Sequence, residues 1–318
     1  MTHQYPTIII GAGMAGMAAA RTLVNANLPV LVLDKGRGIS GRMATRRWGD
    51  ATFDHGAQYF SAKTTEFQTF VKNAAVSAAI KEWWPDIGDA VHPRWIGASG
   101  MNAMPKLLEE NIPILKSKQV VRINENEKGW EVQPEDDDTC QCSSLLVTIP
   151  APQALQLLEN SGITLEESPL PNIAYHPCLV VMARLDKVSG IPAPGGLKVD
   201  GGVLSWLADN FQKGISQTPS VTVHATPEFS YQHLDGDLQA AGQTMIEAAT
   251  ALITPAKVVD WQVHRWRYSL CHNRHDEPFW KAGTRTPLLF GGDGFGMGNV
   301  EGAYISGIKM AEKIARSY

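Results

Sequence analysis

The chain has 318 residues, 44% hydrophobic and 19% charged, the balance of a globular protein with room for one large domain or two interleaved ones. Lys and Arg number 28 against 32 Asp and Glu, a net charge of -4, so composition argues against a nucleic-acid or anionic-membrane surface. Four cysteines (Cys140, Cys142, Cys178 and Cys271) are too few for a disulfide framework, no apolar run approaches about 18 residues, and no basic stretch precedes an apolar one at the start; the expectation is a reduced, cytoplasmic protein without signal peptide or spanning helix.

The stretch from Thr7 to Asp34 organises the rest. Ile8, Ile9 and Ile10 form a short β-branched run, as expected of a parallel strand buried on both faces. Gly11-Ala12-Gly13-Met14-Ala15-Gly16 follows with the G-x-G-x-x-G spacing. Gly11 permits a tight turn, Gly13 lets backbone approach a pyrophosphate, and Gly16 lets the next helix lie close to the strand. That helix, roughly Met14 to Asn25, aims its N-terminal N–H groups and positive dipole end at the phosphates. A second buried strand, Val30 to Leu33, ends at Asp34, where a carboxylate accepts hydrogen bonds from an adenosine ribose and disfavours a 2′-phosphate.

Lys35-Gly36-Arg37-Gly38-Ile39-Ser40-Gly41-Arg42-Met43 is a polar, glycine-rich loop whose backbone donors and guanidiniums suit phosphate oxygens. In Thr52-Phe53-Asp54-His55-Gly56-Ala57-Gln58-Tyr59-Phe60, Gly56 and Ala57 are small enough for close approach to a flat ring; a plain core strand is the rival reading, and His55 reads as a structural histidine. Together, G-A-G-M-x-G, the acid closing the second strand, S-G-R-M and D-H-G-A-Q-Y resemble the amine-oxidase-type flavoprotein superfamily, and within it the renalase group with its bacterial relatives. Ser40 stands where that group's motif has a first glycine, and Asp34 is the shorter acid.

Residues from Lys63 to about Ile80 show helical spacing of Phe67, Phe70, Val71 and Ala74, broken by Trp83-Trp84-Pro85. His92-Pro93-Arg94-Trp95 leads to Gly100-Met101-Asn102 and a helix from Ala103 to Glu110; Arg94 and Trp95 are cavity candidates, with packing the commoner role for each. Val120 to Ile123 and Trp130 to Val132 flank a polar link and form a hairpin signal. The resemblance implies that this hairpin lies over adenine, with Val121 as the contact. Leu145 to Ile149 is a buried strand ended by Pro150. Strands near Leu179–Leu185, Gly202–Trp206 and Val221–His224, then a helix opened by Asp235 or Gly236 and running to Ile253, suggest an antiparallel sheet with helices on one side. Trp206, Asp209 and Asn210 sit just after one strand end and His224 closes another; they are cavity candidates, with plain packing the rival role. In Val263-His264-Arg265-Trp266-Arg267-Tyr268-Ser269, alternation puts His264, Trp266 and Tyr268 on one face and the arginines on the other. Cys271, His272 and His275 lack the further ligand a metal site needs.

At the C-terminus a strand, Leu288-Leu289-Phe290, leads into Gly291-Gly292-Asp293-Gly294, and a helix opens at Asn299-Val300-Glu301-Gly302-Ala303. This resembles the superfamily's second flavin motif: Asp293 on the ribitol, and the helix N-terminus beside the ring. A helix N-terminus with small residues admits a flat ring and stabilises negative charge on its reduced form. Two glycine turns at opposite ends of the chain favour FAD over NAD.

The expected fold is α/β, an FAD-binding Rossmann-like domain (1–60, 95–160 and 256–318) interleaved with a smaller α+β substrate domain (61–94 and 161–255) on a mixed or antiparallel sheet. The resemblance implies noncovalent FAD and an oxidase that returns 2- and 6-dihydro isomers of NAD(P)H to NAD(P)+, with hydride passing to flavin N5 and electrons to O2 to give H2O2. Such a donor is electron-rich, so the protein chiefly holds it face-on and no strong base is required. His224, His264, Arg265, Arg267 and Trp206 are the expected cavity residues. Other readings stay open: an amine oxidase or polyene desaturase of the same superfamily, an NAD-dependent dehydrogenase, or a non-catalytic flavin-holding partner.

Overall fold

A computed structural model describes residues 3–83 and 93–317; Trp84, Pro85 and His92, named above, lie outside them. In chain order the elements are β1 (His3–Ile10), α1 (Met14–Asn25), β2 (Val30–Leu33), β3 (Thr45–Trp48), β4 (Ala51–Asp54), α2 (Thr65–Val76), β5 (Ile80–Glu82), β6 (Trp95–Gly97), α3 (Ala103–Lys106), β7 (Ile114–Leu115), β8 (Val120–Asn126), β9 (Gly129–Pro134), β10 (Cys140–Val147), α4 (Ala151–Ser161), β11 (Ala174–Leu185), β12 (Gly196–Lys198), β13 (Leu204–Asp209), β14 (Ser220–Ala225), α5 (Pro227–His233), α6 (Leu238–Ile253), β15 (Val258–Asn273), β16 (Phe279–Lys281), β17 (Leu288–Gly291) and α7 (Asn299–Ala315). They group into two compact units. Unit 1 comprises residues 1–41, 105–174 and 271–318; unit 2 comprises 42–104 and 175–270.

Unit 1 is built on a sheet of order β16-β17-β10-β1-β2-β7, parallel except at β16, with the β8–β9 hairpin joined antiparallel to β10. β2 and β17 are buried at every position, as strands covered on both faces must be. Helices α1 and α7 cross so closely that a Cβ on Gly307 would stand 2.1 Å from the Ala15 carbonyl oxygen. Parallel pairing of β1, β10 and β17 brings the turns after Ile10 and Gly291 to the same sheet edge, at the C-terminal ends of their strands. Val121 sits where the β8–β9 register shifts, at a bulge between Val120 and Arg122.

Unit 2 carries a sheet of order β12-β13-β14-β11-β15, with antiparallel pairing through β12, β13, β14 and β11. One face packs on α6 through Val181, Leu207, Val221, Val223 and Met245. Gly242 of α6 is required there, because a Cβ would meet the Trp261 ring at 2.3 Å. Thr226 and Asp237 cap α5 and α6 through side-chain oxygens.

The element types follow the sequence expectations with two physical departures. The helix expected from Ala103 to Glu110 is a single turn, and β15 runs 16 residues rather than seven. Residues 42–60, 95–104 and 256–270, expected with the coenzyme domain, belong to unit 2, while 161–174 belong to unit 1. β15 explains much of this: it is the outer strand of the unit 2 sheet, beside β11.

Candidate active site

In unit 1 the three glycines of the first turn perform distinct tasks. Gly11 has φ +108° and leaves no room for a Cβ, which would lie 2.7 Å from Thr148 Oγ1; Thr148 in turn donates to the Ile10 and Gly11 carbonyls at 2.9 and 3.0 Å. A Cβ on Gly16 would collide with the Gly11 oxygen at 1.9 Å, so helix and strand touch through it. The Cβ direction of Gly13 is open, with only Gly41 Cα near, at 3.9 Å. Gly13 is also the N-cap of α1, and no side chain caps that helix. Uncapped N–H groups behind an open glycine are the arrangement an anionic diphosphate fits.

Asp34 locks this turn. Its Oδ2 accepts from Ala12 N at 2.5 Å and its Oδ1 from Gly36 N at 2.6 Å. Burial pushes its carboxyl above the usual range, and the two N–H donors oppose that rise. A carboxylate offers about four lone-pair directions, so two remain for ribose hydroxyls. The following loop folds back on the turn: Ser40 N donates to Ala12 O at 3.0 Å, and Gly41, at φ +51°, faces Gly13. Lys35 and Arg37 are exposed.

At the C-terminal turn, Gly292 has φ +128° and donates its N–H to Ser306 Oγ at 2.8 Å, tying the turn to the body of α7. Helix α7 has Gly298 as N-cap and, like α1, no side-chain cap. Asp293 and Val300 are partly buried, while Glu301 and Ala303 are buried. A hollow of about 370 Å³ beside this helix start is lined by Asp276, Pro278, Gly296, Met297, Gly302 and Ile305. The residues of unit 1 therefore fit a flavin dinucleotide: a diphosphate cradle, a ribose acceptor, and a second uncapped helix start on the same sheet edge.

In unit 2 the sheet face opposite α6 carries the chemistry. Trp206, Thr222 and His224 project there, with Trp206 and His224 cross-strand partners. Gln58 Nε2 donates to the carbonyls of Asp54 (2.7 Å) and Gly56 (3.0 Å) and lies 3.3 Å from His224 Nε2. Beneath it is a fully buried ion pair. Lys213 Nζ donates to Asp54 Oδ2 at 2.9 Å and Gln58 O at 2.7 Å, and lies over the Trp83 ring at 5.1 Å. Asp54 Oδ1 accepts from Thr45 Oγ1 (2.6 Å) and Met101 N (2.8 Å).

Beside it, His55 stacks on Trp266 with ring centres 5.3 Å apart and meets His264 edge-on at 4.6 Å; Trp266 Nε1 donates to His55 O at 2.7 Å. All three histidines are held neutral. Burial pulls His224 down to about 4, helped by the Lys213 charge. Burial and then Arg46 pull His264 to about 4. Burial, His264, Arg46 and His224 pull His55 to about 3. Imidazoles of this kind hold no proton charge at neutral pH and present hydrogen-bonding edges only.

The expected cavity residues therefore separate. His224, His264 and Trp206 share this face. Arg265 and Arg267 do not: they continue the face of Trp261 and Val263, which α6 covers, and they pair with Asp235 at 3.7 and 2.5 Å. They are surface residues. Arg42, expected on phosphate, has its guanidinium 5.2 Å above Tyr175, with Nη1 3.5 and 3.4 Å from the Tyr268 and Ser269 carbonyls, and Met43 is buried. The small size of Gly56 serves the chain itself, since its Cβ would lie 2.0 Å from Arg42 O, and Ala57 N donates to that same oxygen. Asp209 is a turn hub, accepting from Ser189, Phe211 and Gln212. Sequence reasoning misses Lys213, because a lysine in a polar Phe-Gln-Lys-Gly loop reads as solvated. Among the described residues no group of three or more His, Cys, Asp or Glu is placed to hold a metal, and no helix is long and apolar enough to cross a membrane.

Comparison with known proteins extends this geometry. Residues 9–74 match the model of an NAD(P)-binding Rossmann-like domain, and residues 86–315 that of the flavin-containing amine oxidoreductases. The mouse (Mus musculus) protein renalase is 24% identical over 97% of this chain and 98% of its own. Among solved structures, a putative protoporphyrinogen oxidase from Exiguobacterium sp. 255-15 superposes with TM-score 0.76 at 12% identity, covering both chains completely. Putrescine oxidase gives 0.71 at 14% identity over 99% of each chain. A fatty acid isomerase from P. acnes gives 0.72 at 13% identity over 97% of this chain and 98% of its own. With more than half its residues matched, and with an uncapped glycine turn built for a dinucleotide, the chain belongs to the flavin-containing amine oxidoreductase family and is an FAD-dependent oxidoreductase.

Proposed function

We propose that the protein is a renalase-like oxidase that converts 2- and 6-dihydro isomers of NAD(P)H to NAD(P)+. The observation that carries the reading is the end-to-end likeness to renalase, which spans nearly all of both chains. The unit 2 face supports it chemically. FAD supplies the two-electron acceptor for a hydride and hands the electrons on to O2, giving H2O2. In this reading Gly13 and the N–H groups opening α1 bind the diphosphate, Asp34 accepts the ribose hydroxyls, and Asp293 with the start of α7 holds the far end of the coenzyme.

On the unit 2 face, a hydride donor needs orientation rather than deprotonation. His55, His224 and His264 are neutral and poorly basic, and the carboxylate of Asp54 is occupied by Lys213, Thr45 and Met101. A cationic amine would find the Asp54 carboxylate already engaged by Lys213, which favours a dihydropyridine over a polyamine. Trp206, Trp266 and the imidazoles offer flat walls for a planar ring.

Peroxide release with borohydride-reduced NAD+ isomers, putrescine, benzylamine and ordinary NADH, compared in one panel, tests this. Turnover confined to the 2- or 6-dihydro isomers supports the reading; turnover confined to an amine replaces it with an amine oxidase.

A further inference from the structure

The glycine-rich loop after β2 folds back on the turn that opens α1, and it brings one buried polar side chain with it. Ser40 N donates to Ala12 O at 3.0 Å, which fixes Ser40 beside the turn. Gly41 then faces Gly13: a Cβ on Gly41 would lie 3.2 Å from Gly13 Cα. Ser40–Gly41 and Ala12–Gly13 therefore lie side by side at the start of the helix. Space is left over them, since a Cβ on Gly13 would meet only Gly41 Cα, at 3.9 Å, and one on Gly38 would meet nothing within 4 Å. Ser40 is only 8% exposed. Among the described residues its Oγ has no hydrogen-bond partner, yet it is not sealed off as the unpaired Oγ of Ser220 is. A buried hydroxyl with neither partner nor enclosure is a donor held for an incoming acceptor.

Charge sets what that acceptor is. Helix α1 is 12 residues long, with Gly13 as N-cap and no side-chain cap, so its first N–H groups call for an anion at the same place. The cations of the loop are turned elsewhere: Lys35 and Arg37 are exposed, and the Arg42 guanidinium stands over Tyr175. We propose that the Ser40 hydroxyl donates to a diphosphate oxygen of FAD, so that the loop gives the coenzyme a neutral hydroxyl where its sequence points to guanidiniums. A hydroxyl donating to an ionised oxygen makes a short, charge-assisted bond, stronger than a neutral one. The proposal rests on the reading that puts the diphosphate at Gly13 and is independent of the substrate. It assigns Ser40 to coenzyme retention.

The test is the dissociation constant of FAD, read from the free-flavin fluorescence that appears on dilution of the holoprotein, together with the phosphorus NMR spectrum of the bound coenzyme. Ser40→Ala deletes the hydroxyl. It is expected to bind FAD at least about tenfold more weakly, the worth of one hydrogen bond to a charged oxygen, and to move a diphosphate resonance. Ser40→Gly puts in the residue of the renalase-group motif, burdens the backbone least, and is expected to lose the same factor. Affinity within about twofold of the parent in both variants overturns the contact. So does a loss in Ser40→Ala that Ser40→Gly does not share, and so do phosphorus resonances that stay in place. Gly13→Val separates the hydroxyl from the cradle itself, because its side chain grows into the open space over Gly13. Loss of FAD in Gly13→Val with full retention in the Ser40 variants removes the hydroxyl contact alone. Parent-like retention in Gly13→Val puts the diphosphate elsewhere and overturns both.

Discussion

Lys213→Met should be the most destabilising single change on the unit 2 face. The ammonium and the Asp54 carboxylate are both fully buried, 2.9 Å apart. Removing the cation leaves a buried carboxylate whose Oδ2 has lost its donor, while Oδ1 keeps Thr45 and Met101. It also frees the Gln58 carbonyl and ends the contact with the Trp83 ring. Breaking one half of a buried pair costs about 3–5 kcal/mol. In a protein of this size that lowers the melting temperature by roughly 10 °C. Replacing both partners, Asp54→Asn with Lys213→Met, should cost less than Lys213→Met alone, because no charge is stranded. Thermal melts of the holoproteins followed by circular dichroism measure this. A Lys213→Met melt within about 2 °C of the parent, or a double variant no better than the single, would refute the reasoning.

Gly16→Ala should yield protein without bound flavin, since its Cβ has nowhere to go but the Gly11 carbonyl at 1.9 Å; the ratio of visible to 280 nm absorbance reports it. Arg265→Ala and Arg267→Ala should leave turnover unchanged and alter stability by about 1 kcal/mol or less, as exposed ion-pair partners do; a large loss of turnover in either would restore them to the site. The histidines give the pH dependence. His224 and His264 titrate at about 4 and His55 at about 3 in the fold, below the usual 6.5. Between pH 6.5 and about 4 the unfolded chain binds protons that the folded one refuses, so stability is fully present above 6.5 and falls as pH drops through that window. The melting temperature should track this, and His224→Gln should flatten the slope. Resonances assigned to His55, His224 and His264 that titrate near 6.5 would contradict it.

The glycine turns were legible because backbone geometry decides much of them: Gly11 and Gly41 take φ of +108° and +51°, and a Cβ on Gly16 would strike the Gly11 carbonyl five residues before it. The two-faced character of β15 was legible for a similar reason, since a strand alternates whatever surrounds it. Alternation does not say which face is buried, and α6 decided that by covering Trp261 and Val263. Lys213 and its anchorage of Gln58 were not legible, because the pairing partner Asp54 lies 159 positions away. The same holds for the unit boundaries, which follow strand pairing between distant segments.

Anaerobic rapid mixing of the FAD-loaded protein with borohydride-reduced NAD+ isomers, watching the flavin band near 450 nm, tests the central claim most directly. The account predicts fast bleaching by the 2- or 6-dihydro isomers, colour returning on admission of air, and no fast bleaching by ordinary NADH or benzylamine. Bleaching by the amine alone, or a purified protein with no flavin band, would contradict it.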